Sequence, residues 1–95
     1  MAWKVKLHHK VAEDLDDLGD SAAFKILKAI KEKIENGEPD KLGIPLRGEL
    51  AGCRKIRVGD TRIVYRVDQQ AVEVLIVAVG ARRDKEVYHA AESRV

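Results

Sequence analysis

A single cysteine, Cys53, leaves the chain without any internal disulfide, which fits a reducing compartment. Lying at the start of a strand pattern, it reads as a small core residue rather than a nucleophile. No apolar run approaches membrane-spanning length. Met1 to Leu7 is short and charged, without the apolar centre of a signal peptide. The expectation is a soluble cytoplasmic protein with no membrane partner. Repeats and low-complexity segments are absent. No His/Cys/Asp/Glu spacing matches a metal site, so no metal or other cofactor is expected. There is neither a phosphate-binding glycine loop nor a nucleophile elbow, which removes two common routes to phosphoryl and acyl transfer. Histidines are few. His8 and His9 are neighbours and so point different ways, which suits surface or capping roles, and His89 lies in the tail beside Tyr88.

At 95 residues the chain is expected to form one domain over 1–95. Burying roughly two-thirds of its unfolded surface is feasible at this size. The net charge of +2 says little, but its distribution says more. Residues 1–40 hold seven Lys/Arg against nine Asp/Glu, whereas residues 41–95 hold eleven against seven. The stretch Arg54 to Arg66 has five basic residues and one acidic, and so carries the whole excess. A concentrated positive face points to a nucleic-acid or acidic partner.

That stretch, C-R-K-I-R-V-G-D-T-R-I-V-Y-R-V from Cys53 to Val67, has the pattern of a β-hairpin. Two alternating runs flank Gly59-Asp60, and Gly at the first turn position is free to take positive φ. The turn sets Val58 opposite Thr61, Arg57 opposite Arg62, Ile56 opposite Ile63, Lys55 opposite Val64 and Arg54 opposite Tyr65. Alternation then sorts the faces. Ile56, Val58, Ile63, Tyr65 and Val67 want a core, and Lys55, Arg57, Arg62 and Arg66 share the other side. Like charges directly opposite destabilise a sheet, so the Arg57–Arg62 pair suggests an anion between them.

Trp3, Val5 and Leu7 alternate with polar residues as a short strand with one buried face. From His9 to Leu18 the period changes, with Val11, Leu15 and Leu18 forming one helical stripe and Gly19 stopping it. Asp20 or Ser21 is placed to cap a second helix whose stripe, Ala23, Ile26/Leu27, Ile30 and Ile34, runs to Glu35. Asn36-Gly37 closes it and Pro39 prevents resumption. The two helices should form an antiparallel hairpin. Residues 38–52 hold both prolines and three glycines, and Leu42, Ile44, Leu46 and Leu50 should pin this loop to the core. Ala71 to Val79 is a nearly unbroken apolar strand, expected to be central and covered on both faces, with Gly80 ending it. Asp84 to Arg94 is a candidate last helix, marginal or partner-dependent because its stripe of Val87, Ala90 and Ala91 is weak. The fold class is α+β, in the order β-α-α-β-β-β with this candidate helix. The sheet should be mainly antiparallel, with the helical hairpin on one face and the basic residues on the other.

Cleaving an RNA phosphodiester requires deprotonation of the 2′-hydroxyl, stabilisation of charge on phosphorus oxygens and protonation of the leaving 5′-oxygen. No His/Glu pair is evident for the proton steps. What remains is a cationic cluster and a tyrosine. Arg holds its proton but clamps phosphate bidentately. Crowding by other cations favours the neutral amine of a lysine such as Lys55. Tyr88 is suited to stacking on an unpaired base. A purely RNA-binding face would carry the same residues.

The hairpin K-I-R-V-G-D-T-R-I-V-Y-R-V, the apolar strand after it and the ending V-G-A-R-R-D-K-E-V-Y resemble the RelE toxins of bacterial and archaeal toxin–antitoxin systems. The M-A-W start, the two helices and the L-R-G before the hairpin extend the likeness over the whole chain. The resemblance implies a RelE-like fold and a ribosome-dependent, metal-independent endoribonuclease that cuts messenger RNA in the ribosomal A site. It implies silencing by a RelB-type antitoxin, with DNA contacted only indirectly through that complex. By position, Lys55 matches a proton-transfer or charge-stabilising lysine and Arg62 a phosphate-binding arginine. Arg82 matches the arginine that stabilises the transition state or assists the leaving group, and Tyr88 the tyrosine that orients the nucleotide. Arg57 departs from the pattern, because well-known relatives carry lysine there, and the hairpin turn is shorter. Lys55, Arg57, Arg62, Arg82 and Tyr88 form the expected catalytic set, with Arg66 and Arg83 as supporting RNA contacts. The ParE branch shares the fold, poisons DNA gyrase and lacks the nuclease residues. Its mode of action is one alternative, and an inactive RNA-binding relative is another.

Overall fold

The computed structural model describes residues 2–81 and 86–95, with Glu86 described by its backbone alone. The hairpin is its middle. β3 (Cys53–Val58) and β4 (Thr61–Asp68) pair antiparallel in the register set by the turn, including Arg57 opposite Arg62. Gly59 has φ 57°, the left-handed region where a side chain would be strained. The Thr61 hydroxyl donates to the Val58 carbonyl (2.7 Å), closing the turn.

Around this hairpin lies a five-stranded sheet in the order β1-β5-β4-β3-β2. β1 (Lys4–Leu7) pairs parallel with β5 (Glu73–Ala81), and all other neighbours are antiparallel. β2 is two residues, Ile44–Pro45, and covers β3 only at Arg54 and Lys55. The expected α+β order therefore holds, with a short extra strand inside the 38–52 loop.

One face of the sheet carries the helical hairpin. α1 (Val11–Leu18) turns at Gly19, φ 90°, directly into α2 (Asp20–Ala29). Val11, Ile26, Ile30 and Ile34 pack against Ile56, Ile63, Tyr65, Val74, Ile76 and Val79, with Leu15 and Leu18 at the margin. Neither Asp20 nor Ser21 caps α2 through its side chain. Gly19 is the cap residue, and its carbonyl accepts from Ala23 (2.9 Å). Asp20 lies within the first turn, where its charge complements the helix dipole.

Ile30–Glu35 continues α2 as a π-helical segment, seen in the Asn36 N–H to Lys31 carbonyl bond of 3.1 Å. At 3.6 residues per turn each four-residue step overshoots by roughly 40°. Ile26, Ile30 and Ile34 would drift off a common stripe in an ideal α-helix. The wider turn returns Ile34 to the core, where it is fully buried. Gly37 follows because a Cβ there would lie 2.2 Å from the Lys33 carbonyl oxygen.

The second face is not left bare. α3 (Glu86–Arg94) docks on it, with Val87 and Ala91 buried against Leu50, Cys53, Val64, Val77 and Ala78. The pairing of β4 with β5 steps from Val64–Ala78 to Tyr65–Ile76, so Val77 is an extra residue in the ladder. Val77 and Ala78 therefore both reach the second face, which explains the unbroken apolar run. Gly80 does not end β5, which continues to Ala81. A Cβ on Gly80 would lie 2.9 Å from Val87 Cβ, so glycine is what admits α3.

Three further expectations are corrected. The first helix begins at Val11 rather than His9, because the chain turns at His9 and Lys10. Leu7 is 48% exposed at the end of β1, past the reach of the helices, whereas Trp3 and Val5 pack on the core. Ile44 is 61% exposed, whereas Leu42, Leu46 and Leu50 hold the loop as expected.

Candidate nucleic-acid interface

The second face carries the chemistry. Strand alternation places Lys55 and Arg57 of β3 beside Arg62 of β4, and α3 brings Tyr88 against them. Arg62 Nη1 donates to Tyr88 Oη at 2.8 Å. Lys55 Nζ and the Arg62 guanidinium carbon each lie 5.5 Å from the centre of the Tyr88 ring, within cation–π range. Four of the five expected catalytic residues therefore form one group. Arg82 and Arg83 lie outside the described residues.

None of Lys55, Arg57 and Arg62 forms an ion pair among the described residues. Unpaired cations crowded on one face hold their charge for an outside anion. Arg54, the remaining cation of β3, faces the other way. Its Nε donates to the Leu42 carbonyl (2.7 Å) and its Nη2 to that of Gly43 (3.3 Å). The Tyr65 hydroxyl lies 2.9 Å from the carbonyls of both Pro39 and Leu42. These contacts fix the loop beside the cations.

Arg66 does not join the group. It stands opposite Cys53 at the far end of the hairpin. There it lines a groove of about 770 Å³ with Lys6, Asp68 and Glu73. That groove carries both signs of charge and none of the clustered residues, so it is a separate feature. Cys53 is buried, and burial pushes its thiol up, with the Arg66 charge pulling the other way.

The histidines make other contacts. Nδ1 of His8 accepts from the Lys10 backbone N–H (3.2 Å), and the His8 ring stacks on His9. Loss of solvation, then the charge of His9, lowers His8 below the ordinary imidazole range. His89 is exposed and faces Glu92 at 3.9 Å. Among the described residues no cluster of His, Cys, Asp and Glu could hold a metal ion. The group can therefore bind a phosphate, orient a base and stabilise negative charge.

An ion pair that the sequence does not reveal sets Tyr88 in place. Arg94, at the end of α3, bonds Asp14 of α1 through both nitrogens (2.6 and 2.9 Å) and also donates to the Val77 carbonyl (3.0 Å). Asp14 Oδ2 accepts from the Val79 N–H as well (3.1 Å). The two side chains are only 9% and 14% exposed. Asp14 raises Arg94 above the ordinary guanidinium range, chiefly by the hydrogen bond.

Known proteins resemble this chain in sequence and in fold. The family profile for the ParE toxin of type II toxin–antitoxin systems (parDE) matches residues 5–86. Toxin RelG of Mycobacterium tuberculosis is 45% identical over 47 residues, which is 50% of this chain and 54% of that one. The mRNA interferase toxin RelE of Escherichia coli is 29% identical over 97 residues, covering 100% of this chain and 99% of its own. The toxin–antitoxin complex RelBE2 of M. tuberculosis contains a chain that superposes with a TM-score of 0.78. It has 29% identity and covers 86% of this chain and 100% of that one. In sequence and in fold, this chain belongs to the RelE family of type II toxin–antitoxin toxins.

Proposed function

We propose that this toxin is a messenger RNA endonuclease that acts in the ribosomal A site. The carrying observation is the convergence of Lys55, Arg57, Arg62 and Tyr88 on one open face, without a carboxylate partner among the described residues. Tyr88 stacks on a nucleotide and orients it. Arg62, held by the Tyr88 hydroxyl, binds the scissile phosphate, and Arg57 adds a second cation from the opposite strand. Lys55, entering the step as the neutral amine, takes the proton of the 2′-hydroxyl as the 2′-oxygen attacks phosphorus. The bond to the 5′-oxygen breaks, and that oxygen takes up a proton with Arg82 assisting. The products are a 2′,3′-cyclic phosphate and a 5′-hydroxyl. No metal ion or cofactor is required, and most of the acceleration comes from fixed charge around the phosphorus oxygens. Arg66 and Arg83 contribute longer-range attraction for RNA.

The relative from E. coli is named an mRNA interferase, and the similar structure from M. tuberculosis is a toxin–antitoxin complex, RelBE2. By analogy the partners here are messenger RNA on the ribosome and a RelB-type antitoxin, with DNA reached only through that complex. The setting is the cytoplasm; no described helix is long and apolar enough to cross a membrane.

A translation extract with primer extension tests this reading. The parent should give discrete cuts within codons. Lys55→Ala and Arg82→Ala should each lower cutting by about 10²-fold or more, the cost of removing one charge-stabilising group. Unchanged cutting in both variants would remove the site assignment. A second reading, gyrase inhibition by binding, is favoured by the ParE name of the matching family. Inhibited supercoiling with messenger RNA left intact would establish it.

A further inference from the structure

The cationic face does not end at Arg57. Around the edge of β3 runs a groove of about 440 Å³, which is the size of a small-ligand site. Lys55, Arg57 and Arg62 form its side toward Tyr88, Lys33 of the π-helical segment stands on its other side, and Leu42, Gly43 and Ile44 line it between. Among the described residues no carboxylate lines it and Lys33 forms no ion pair. Ile44 is 61% exposed there.

The groove has fixed walls. Gly43 has φ 75°, and a Cβ on it would lie 2.2 Å from the Lys55 carbonyl oxygen, so only glycine lets the loop close on β3. Arg54 and Tyr65 hold the same loop through the carbonyls of Pro39, Leu42 and Gly43. On the helical side, the π-helical segment carries Lys33 while its turn keeps Ile34 buried.

We propose that this groove is a second RNA subsite, in which Lys33 binds the phosphate next to the scissile one and the exposed Ile44, with Leu42, packs under a base. The proposal rests on the reading that the Tyr88 face takes RNA. Single strands are held by a cationic track with surfaces for the bases. Lys55, Arg57 and Arg62 line the groove and also border the proposed cleavage site, so a strand bound at one continues into the other. Four cations without a carboxylate suit a polymer charged at every repeat better than a peptide.

The test is fluorescence anisotropy with a labelled single-stranded RNA oligomer over a series of salt concentrations. Lys33→Gln should weaken binding several-fold and reduce the magnitude of the log K against log salt slope by about 0.7, the contribution of one phosphate contact on a single strand. Ile44→Ser should weaken binding with the slope unchanged. Lys28→Gln, on the exposed side of α2, should leave both unchanged. An unaltered slope in Lys33→Gln overturns the subsite, and so does an equal loss in Lys28→Gln, which would mean diffuse attraction. If Lys33→Gln instead weakens only an acidic peptide, the groove is a protein site and the proposal fails. A parent with no salt-dependent RNA binding overturns the functional reading itself. A slope that falls in Lys55→Ala but not in Lys33→Gln removes the subsite alone.

Discussion

Arg57 and Arg62 stand opposite each other across β3 and β4, an arrangement that costs a sheet roughly 0.2–1 kcal/mol. Under the proposed function, holding charge for a phosphate offsets that cost. Arg57→Thr should therefore raise thermal stability slightly while lowering cleavage by about 10²-fold. Arg57→Lys should keep most of the activity, since position 57 supplies charge and not the base. Melting curves beside cleavage rates check both statements, and a stabilised variant with full activity would remove Arg57 from the site. This pair was legible in the sequence because a two-residue turn fixes register and alternation fixes face. The role of Arg54 was not: it belongs to the same basic stretch, but its partners are carbonyls of the 38–52 loop. Lys33 was hidden for another reason. Hydrophobic spacing alone does not distinguish an α turn from a π turn, and the π-helical segment is what carries Lys33.

At the scale of elements, α3 decides whether the site exists, because Tyr88 comes with it. Its apolar stripe looked too weak to dock. One feature of that stripe and two outside it hold it. Ala91 is small enough to pack flat, Gly80 leaves room for Val87, and Arg94 reaches Asp14, eighty positions away in the chain. No periodicity announces a partner at that separation. Breaking a largely buried pair and leaving its other charge alone costs about 3 kcal/mol. Asp14→Ala and Arg94→Ala should each lower the melting temperature accordingly and reduce cleavage as Tyr88 is released. The double variant should cost less than the two singles added, as coupled partners do. Strict additivity would show that the pair does not act as a clasp. Gly80→Val should reproduce the loss of Tyr88 with the ion-pair residues intact. If the helix stays docked in that variant, by backbone amide exchange, the close-approach account is wrong.

For the whole molecule, the order of elements was readable from the changes of period, but the sheet order was not. β1 lies beside β5 and parallel to it, a pairing between the two ends of the chain that local pattern does not encode. The core those strands enclose has its own signature. Burial pushes the Tyr65 phenol above its ordinary value, with the nearby Arg54 cation opposing. A folded value above the unfolded one means that the fold favours the protonated phenol. That stability is complete below the ordinary phenol range, about 10, and is lost as pH rises through the folded value. Melting temperature should thus fall more steeply above that range in the parent than in Tyr65→Phe. At neutral pH the variant should be less stable by about 1–2 kcal/mol, since the Pro39 carbonyl loses its donor and that of Leu42 keeps only Arg54.

Under the proposed function, the face cuts RNA with cations and a tyrosine, using the RNA's own 2′-oxygen as nucleophile. The chemistry of the fragment ends tests it most directly. Messenger RNA recovered from a translation extract with the parent protein should carry 2′,3′-cyclic phosphates on the upstream fragments and 5′-hydroxyls on the downstream ones. Fragments ending in 3′-hydroxyls and 5′-phosphates would show that water, not the 2′-oxygen, is the nucleophile, and would contradict the account.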